Sequence, residues 1–337
     1  MRSLIIAEHL SRLQPPWDIQ FILNKHTSYS STCPFTTHLL DDSPTKAGGK
    51  VNRIIEQEKP DIVVFDASGR ASQLKAAKAV GSTVLFISQH VKKRQRGMRL
   101  NRARHTDYHL VVQPDYVIGD ISTWQKVKLK LFNCTRPKTI GSIFTPPDPE
   151  STDTLLSSLK LTEGQYILIN AGSGGHVVDG SLATDIYFSA AQDIAQKSAH
   201  KVVFIQGSNY PARDLENNPE NHQLMVLKDL PNQDFINLLS KSKLSVLAGG
   251  STLLQAIELK IPTVTSPISK DQPNRIKQCE KHKLTIGCKT EKSDLLKTTI
   301  QLLKKPATLE RGLAEVSNQS GLKSIENIIA LEIKNRN

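Results

Sequence analysis

Two glycine-rich segments hold the residues of this 337-residue chain best suited to chemistry. Asn170-Ala171-Gly172-Ser173-Gly174-Gly175-His176 comes after an apolar run beginning at Tyr166. Ala248-Gly249-Gly250-Ser251-Thr252 ends a second apolar run and opens a stretch with helical spacing. Glycine lets the backbone approach an anion and present its N–H groups. A helix start adds unpaired N–H groups and a positive dipole end, and Ser251 or Thr252 can cap or bind there. Both segments are phosphate-binding candidates. Tight turns use the same glycines, Ser251 also reads as a helix cap, and Glu258 also reads as a solvent-facing helix charge. The residues downstream of Thr252 set the second segment apart. Glu258 lies about two turns down the helix, and Ile261-Pro262-Thr263-Val264 begins another strand. Lys270-Asp271-Gln272-Pro273-Asn274 then falls in a loop at that strand's carboxyl end, where open α/β sheets bind ligands. As a set, G-G-S-T-x5-E-x3-P with D-Q-x-N beyond it asks for a functional explanation.

A third feature is electrostatic. Residues 90–105, HVKKRQRGMRLNRARH, hold Lys92, Lys93, Arg94, Arg96, Arg99, Arg102 and Arg104 and no acid. These seven cations exceed half of the net charge of +12, which is Lys+Arg 44 minus Asp+Glu 32. Such an excess calls for a polyanionic partner. The segment has no aromatic residue for base stacking and no recognised nucleic-acid module beside it, so nucleic acid is disfavoured. An anionic membrane surface or acceptor fits, at about 1 kcal/mol per basic residue near an anionic leaflet. A solvated loop and helix is the plain alternative.

Acid–base candidates are few. Asp66 ends the apolar run Ile62–Asp66, with Gly69 just beyond, and is the first choice for a general base. An Asx turn or helix cap explains it equally well. His90, after the run Thr83–Ile87, is the second choice. No carboxylate cluster of metal-binding type is evident, which favours a metal-independent mechanism with no cofactor. Cys33, Cys134, Cys279 and Cys288 are scattered, so reduced thiols in a cytosolic protein are expected rather than a disulfide or zinc framework. No run approaches the ~20 apolar residues of a membrane span. The first apolar run stops at Glu8, too short for a signal peptide.

The elements that position these residues emerge from the patterning. At about 150 residues per domain, two domains are expected. Apolar residues, 38% of the chain, are enough for real cores. Leu4, Ile5, Ala7, Leu10 and Leu13 predict a helix over 2–14, and residues 18–23 predict a strand. Helices over 46–58 and 74–80 alternate with apolar strands at 62–66, 83–87 and 110–112. In the second half, strands at 166–170, 201–206, 244–248 and 263–265 alternate with helices at 182–197, 235–240 and 252–259. Fully apolar strands in such an order mean βαβ units around buried parallel sheets. Proline-rich Gly141–Glu150 is the expected linker, giving domains over 1–144 and 145–337. A parallel α/β domain normally opens with a strand, whereas this chain opens with a helix, so a first strand of domain one is expected upstream of Met1.

At these residues the chain resembles the GT-B glycosyltransferases. Residues 229–274 look like the C-terminal half of the branch that makes the peptidoglycan lipid intermediate from UDP-N-acetylglucosamine. They are equally similar to the nucleotide-sugar hydrolase of pseudaminic acid synthesis. The family pattern runs S-x-G-G-x-T-x-x-E-x-x-x-x-G-x-P, then a Q-x-x-N-A loop. Gly249, Gly250, Ser251, Thr252, Glu258, Pro262, Gln272 and Asn274 fit most of it, while Lys260 replaces the usual glycine and Arg275 the usual alanine. The resemblance implies two Rossmann-like domains facing a cleft, with the Gly249 turn on a diphosphate and Glu258 on the ribose. Gln272 and Asn274, beside Asp271, would hold the sugar. Gly172, Ser173 and Gly174 would form the family's other glycine loop at the cleft, with His176 on a phosphate. Residues 1–10 resemble the part beyond the family's G-x-G-H-x-x-R, so the strand, both glycines and the histidine fall outside the chain.

The function expected is a metal-independent inverting hexosyltransferase. It would move a sugar, an N-acetylhexosamine, from a UDP-type donor to a surface-glycan or lipid-linked acceptor. Its place would be cytoplasmic, peripheral at the inner membrane. A nucleotide-sugar hydrolase and a basic, non-enzymatic nucleic-acid-binding protein are the competing readings.

Overall fold

The structure, a computed structural model, describes residues 2–13, 17–27, 30–211, 215, 222–316 and 320–334. It divides between Phe144 and Thr145 into two compact units, and residues 320–334 join the first.

The first unit opens with α1 (Arg2–Ser11), then a parallel pair of strands, β1 (Gln20–Asn24) and β2 (Thr36–Leu40). After α2 (Gly48–Glu58) come β3 (Ile62–Asp66), α3 (Ala71–Ala79), β4 (Thr83–Ser88), α4 (Val91–Gly97), α5 (Leu100–Ala103) and β5 (Tyr108–Val111). Then come α6 (Asp115–Ile118), α7 (Thr123–Leu131) and β6 (Lys138–Thr139). Strands β3, β4, β5 and β6 form a parallel sheet in that order. Every residue of β4 is buried, as expected for a parallel sheet covered on both faces. Alternation along β4 decides which face packs where. Val84 and Phe86 join Leu40, Val51, Ile55 and Leu74 from β2, α2 and α3. Leu85 and Ile87 meet Ile5, Ile6 and Leu10 of α1 on the other side.

The second unit begins with α8 (Pro149–Ser158) and β7 (Tyr166–Asn170), then the short hairpin β8 (Val177–Val178) and β9 (Ser181–Leu182). It continues through α9 (Ala183–Lys197), β10 (Lys201–Ile205), β11 (Leu224–Leu227), α10 (Asn232–Ser240), β12 (Leu244–Ala248) and α11 (Ser251–Glu258). It closes with β13 (Thr263–Ser266), α12 (Gln272–Lys281), β14 (Ile286–Gly287), α13 (Lys292–Lys304) and α14 (Ala307–Ala314). Its six strands are all parallel, in the order β11-β10-β7-β12-β13-β14. From β7 the chain winds outward through β10 to β11, then crosses to β12 on the other side of β7. The doubly wound sheet therefore reverses direction between β7 and β12, the position where such sheets bind ligands.

The last helix, α15 (Gly321–Lys334), corrects the expected boundary, which gave residues 145–337 to one domain. Leu322, Ile325 and Ile329 bury themselves against Leu85, Ile87 and Leu110 of the first sheet. Glu332 accepts from Thr83 Oγ1 at 2.7 Å and from the Tyr108 hydroxyl at 2.6 Å. Gly321 packs so closely that an added Cβ would sit 2.8 Å from the Ser142 carbonyl oxygen. The chain leaves the second unit to return with an amphipathic helix that finishes the first core.

Candidate functional site

The loops after β7 and β12 start level with each other, because Asn170 and Leu247 are register partners. They also touch: an added Cβ on Gly172 would lie 4.0 Å from Ala248 Cβ. The two glycine segments predicted from sequence thus converge at the strand reversal.

Local chemistry shapes the first loop. Gly172 and Gly174 have φ of 77° and 98°, in the left-handed region that glycine enters without steric cost. Asn170 Oδ1 accepts from the Gly172 N–H at 2.9 Å, and its Nδ2 donates to the Ile205 carbonyl at 2.9 Å. Thr184 Oγ1 donates to the Gly174 carbonyl at 3.2 Å. Gly207, which sequence reasoning missed, abuts the loop so closely that a Cβ there would lie 2.3 Å from the Gly172 carbonyl oxygen. The Asn209 N–H donates to the Ser173 carbonyl at 2.7 Å. The available signal was Gln206-Gly207-Ser208-Asn209, another strand-end glycine. Ser173 and His176 are exposed, and His176 stands at the hairpin formed by β8 and β9.

The second loop leads from β12 into the N-terminus of α11. The Gly249 N–H donates to the Ser266 carbonyl at 3.1 Å and the Gly250 N–H to the Ala248 carbonyl at 2.8 Å. The first N–H groups of α11, beginning at Ser251 and Thr252, have no intrahelical carbonyl to meet. A Cβ at 249 would come 2.6 Å from Ile276 Cδ1, so any larger residue there displaces that side chain. Arg275 braces the turn: Nη1 donates to the Gly249 carbonyl at 2.5 Å and Nη2 to Asp271 Oδ2 at 3.2 Å. The Ser269 hydroxyl, and after it Arg275, hold the Asp271 carboxyl below its ordinary value. Gln272 is buried, and its Oε1 accepts from the Ile268 N–H at 2.8 Å, so it fixes the loop after β13. Its Nε2 lies 3.8 Å from where a Gly250 Cβ would stand. Asn274 is exposed on the first turn of α12.

Glu258 stands away from the turn. It is the last residue of α11, about 10 Å along the axis from Ser251 at 1.5 Å per residue. Counting back from Pro262 along the family pattern puts the acidic position at Gln255, one turn from Thr252. Lys260, at the pattern's glycine, has φ of 61°, which shows why glycine is usual there. Pro262 is the sequence signal that fixes this register. Elsewhere in this unit, the cleft lined by Asp148, Glu150, Ser151 and Asp234 presents three carboxylates and so repels a diphosphate.

The first-unit candidates are committed to structural tasks. Asp66 Oδ1 accepts from Arg2 Nε at 3.0 Å and also pairs with Arg2 Nη2, while Oδ2 accepts from Ser3 Oγ at 2.8 Å. The carboxylate thereby holds the first turn of α1. His90 is the N-cap of α4, its Nδ1 accepting from the Lys93 N–H at 3.4 Å. The basic segment divides in two. Lys92, Arg96, Arg99 and Arg104 are exposed, and Lys93 donates to the Ala67 carbonyl at 2.8 Å. Arg94 and Arg102 are buried, contrary to their expected place on a docking surface. Arg94 Nη1 donates to the Gly119 carbonyl at 2.6 Å, and Arg102 Nε to the Gly69 carbonyl at 3.2 Å. Loop carbonyls with no helix or strand partner need donors, and these two guanidinium groups supply them. Burial lowers the pKa of both, and Arg96, Arg99 and Arg70 add to the effect on Arg102. All four cysteines are free thiols, with Cys33 and Cys288 only half-buried.

No known sequence family and no curated protein matches the chain. Solved structures do. The UDP-GlcNAc 2-epimerase from Neisseria meningitidis bound to UDP-GlcNAc superposes with a TM-score of 0.64 at 14% identity, covering 99% of this chain and 96% of its own. The glycotransferase of kitacinnamycin gives 0.60 at 15% identity, covering 98% and 94%. This chain has a GT-B-like fold. A glycosyltransferase from Phytolacca americana, complexed with UDP-2fluoro-glucose and pterostilbene, agrees at 0.64 and 10% identity over 98% and 95%. Among the described residues of this GT-B-like chain, no helix is long and apolar enough to cross a membrane.

Proposed function

We propose that the chain is a sugar transferase that takes an N-acetylhexosamine from a UDP donor and passes it to a surface-glycan or lipid-linked acceptor. One observation carries this reading. The Gly249–Gly250 turn and the N-terminus of α11 lie at the strand reversal, directly beside the Gly172–Gly174 loop. Backbone N–H groups and a helix dipole aimed at one point suit a leaving diphosphate, whose charge grows as the glycosidic bond breaks. In this reading the nucleotide's diphosphate rests on Ser251 and Thr252, its ribose on Gln255, and the sugar near Asn274. No metal or cofactor takes part, transfer inverts the anomeric centre, and the enzyme works at the cytoplasmic face of the inner membrane. The structural neighbours support a nucleotide-sugar site because two of them hold UDP-sugars on this fold.

The test is turnover. Purified protein incubated with UDP-N-acetylhexosamines releases UDP only slowly without acceptor, and an added lipid-linked or glycan acceptor accelerates it. Steady release of free sugar without acceptor selects the hydrolase. Conversion to the 2-epimer without UDP release selects an epimerase.

A further inference from the structure

In the first unit, α7 carries apolar side chains on two sides. Leu129 is fully buried with Met98, Ala103, Ile121 and Cys134. Trp124, Val127 and Leu131 lie at i, i+3 and i+7 on one stripe and are 73%, 51% and 76% exposed. Phe132, just past the helix end, adds a further exposed ring. A tryptophan and a leucine this exposed on one stripe mark an interaction surface. The surroundings are cationic. Residues 120–138 contain Lys126, Lys128, Lys130, Arg136 and Lys138 against one acid, Asp120, which pairs with Lys126. Core packing also ties α7 to the exposed half of the basic segment. Arg104 stacks over Phe132 at 4.9 Å, and Lys128 Nζ donates to the Met98 carbonyl at 2.9 Å.

We infer that α7 is a membrane-docking face. Trp124, Val127, Leu131 and Phe132 enter the headgroup–acyl boundary of an anionic bilayer, while Lys130, Arg136 and Arg104 meet lipid phosphates. Charge complementarity selects the bilayer, because an apolar stripe rimmed by charge of almost one sign matches an anionic leaflet. The tryptophan on the stripe prefers that interface. A nine-residue helix is far too short to span, so it lies in the plane. This surface differs from the expected one, the seven cations at 92–104, two of which are buried and none of which supplies an apolar anchor. The inference rests on the first unit alone and stands or falls separately from the nucleotide site.

The full chain is sedimented with vesicles of phosphatidylcholine, with and without phosphatidylglycerol. Binding only to the anionic vesicles is expected. In a Trp17→Phe background, which leaves Trp124 as the single tryptophan, emission shifts to the blue on binding. Trp124→Glu with Leu131→Glu lowers vesicle affinity by about tenfold or more, with an unchanged melting curve because both sites are exposed. Gln125→Glu with Asn133→Glu adds the same charge off the stripe and costs far less. Equal loss in both double variants, no binding by the unmodified chain, or a dimer in light scattering that the stripe variant dissolves would overturn the proposal.

Discussion

Arg275 Nη1 donates to the carbonyl oxygen of Gly249 at 2.5 Å, and Nη2 is held by Asp271. That carbonyl belongs to the turn on which the proposed diphosphate rests, where its partial negative charge is unfavourable. The guanidinium neutralises it and turns it toward α12. Arg275→Met should therefore weaken UDP about tenfold, or about 1.4 kcal/mol, while uridine binding changes little. Arg275→Lys, which keeps the charge, should recover part of the loss. Calorimetric titrations with both ligands check this, and equal losses for UDP and uridine would point to simple collapse of the turn.

In the proposed reading the ribose rests on Gln255 rather than on Glu258. Gln255→Ala should raise the Kd for uridine and UDP together, by about three- to tenfold for one lost hydrogen bond. Glu258→Gln, at the far end of α11, should leave both within about twofold. Titrations of the two variants side by side settle which residue faces the ribose.

Gly207 supports the first glycine loop through backbone proximity rather than through a side chain. A Cβ would stand 2.3 Å from the Gly172 carbonyl oxygen, and backbone cannot yield as a side chain can. Gly207→Ala should cost about 3 kcal/mol of stability and displace the loop, as overpacking does. Urea denaturation measures the first effect. Loss of the UDP-induced rise in melting temperature measures the second.

Acid should destabilise the first unit through His109. Its imidazole is buried against Phe86 and Ser88. Burial, with Arg94 adding to it, pushes its pKa down to about 4. The unfolded ring takes up a proton near 6.5, so on acidification the unfolded state binds protons first. Stability is full above pH 6.5, falls between 6.5 and 4, and levels off below. By this linkage the loss between pH 7 and pH 5 is about 2 kcal/mol. His109→Gln should flatten that part of a stability–pH curve.

How far the sequence spoke depended on what each residue has to satisfy. Strands β7, β10 and β12 are continuous apolar runs, so their burial in a parallel sheet was legible. So was the break near residue 145, where prolines interrupt periodicity. The glycine segments were legible as strand-end turns, and φ of 77° and 98° at Gly172 and Gly174 calls for glycine there. Along α11 two positions compete, because Glu258 is the nearest acid whereas the spacing to Pro262 points to Gln255. Arg94 and Arg102 look identical to their exposed neighbours in a charge run; only the fold shows which of them meet unpaired carbonyls. The α7 stripe reads in sequence as an ordinary core-facing pattern, and burial alone separates Leu129 from Trp124 and Leu131. The return of α15 to the first unit depends on which apolar face lacks a cover, which local pattern does not reveal.

If the Gly249 turn holds a nucleotide diphosphate, the phosphates must add clearly to the binding energy that uridine supplies alone. Isothermal titration of the full chain with UDP, against uridine as reference, measures this. Saturable binding of UDP is expected, at least about tenfold tighter than uridine and weakening as salt screens the charge. Absence of UDP binding, or equal affinity for UDP and uridine, would refute a diphosphate site at this turn.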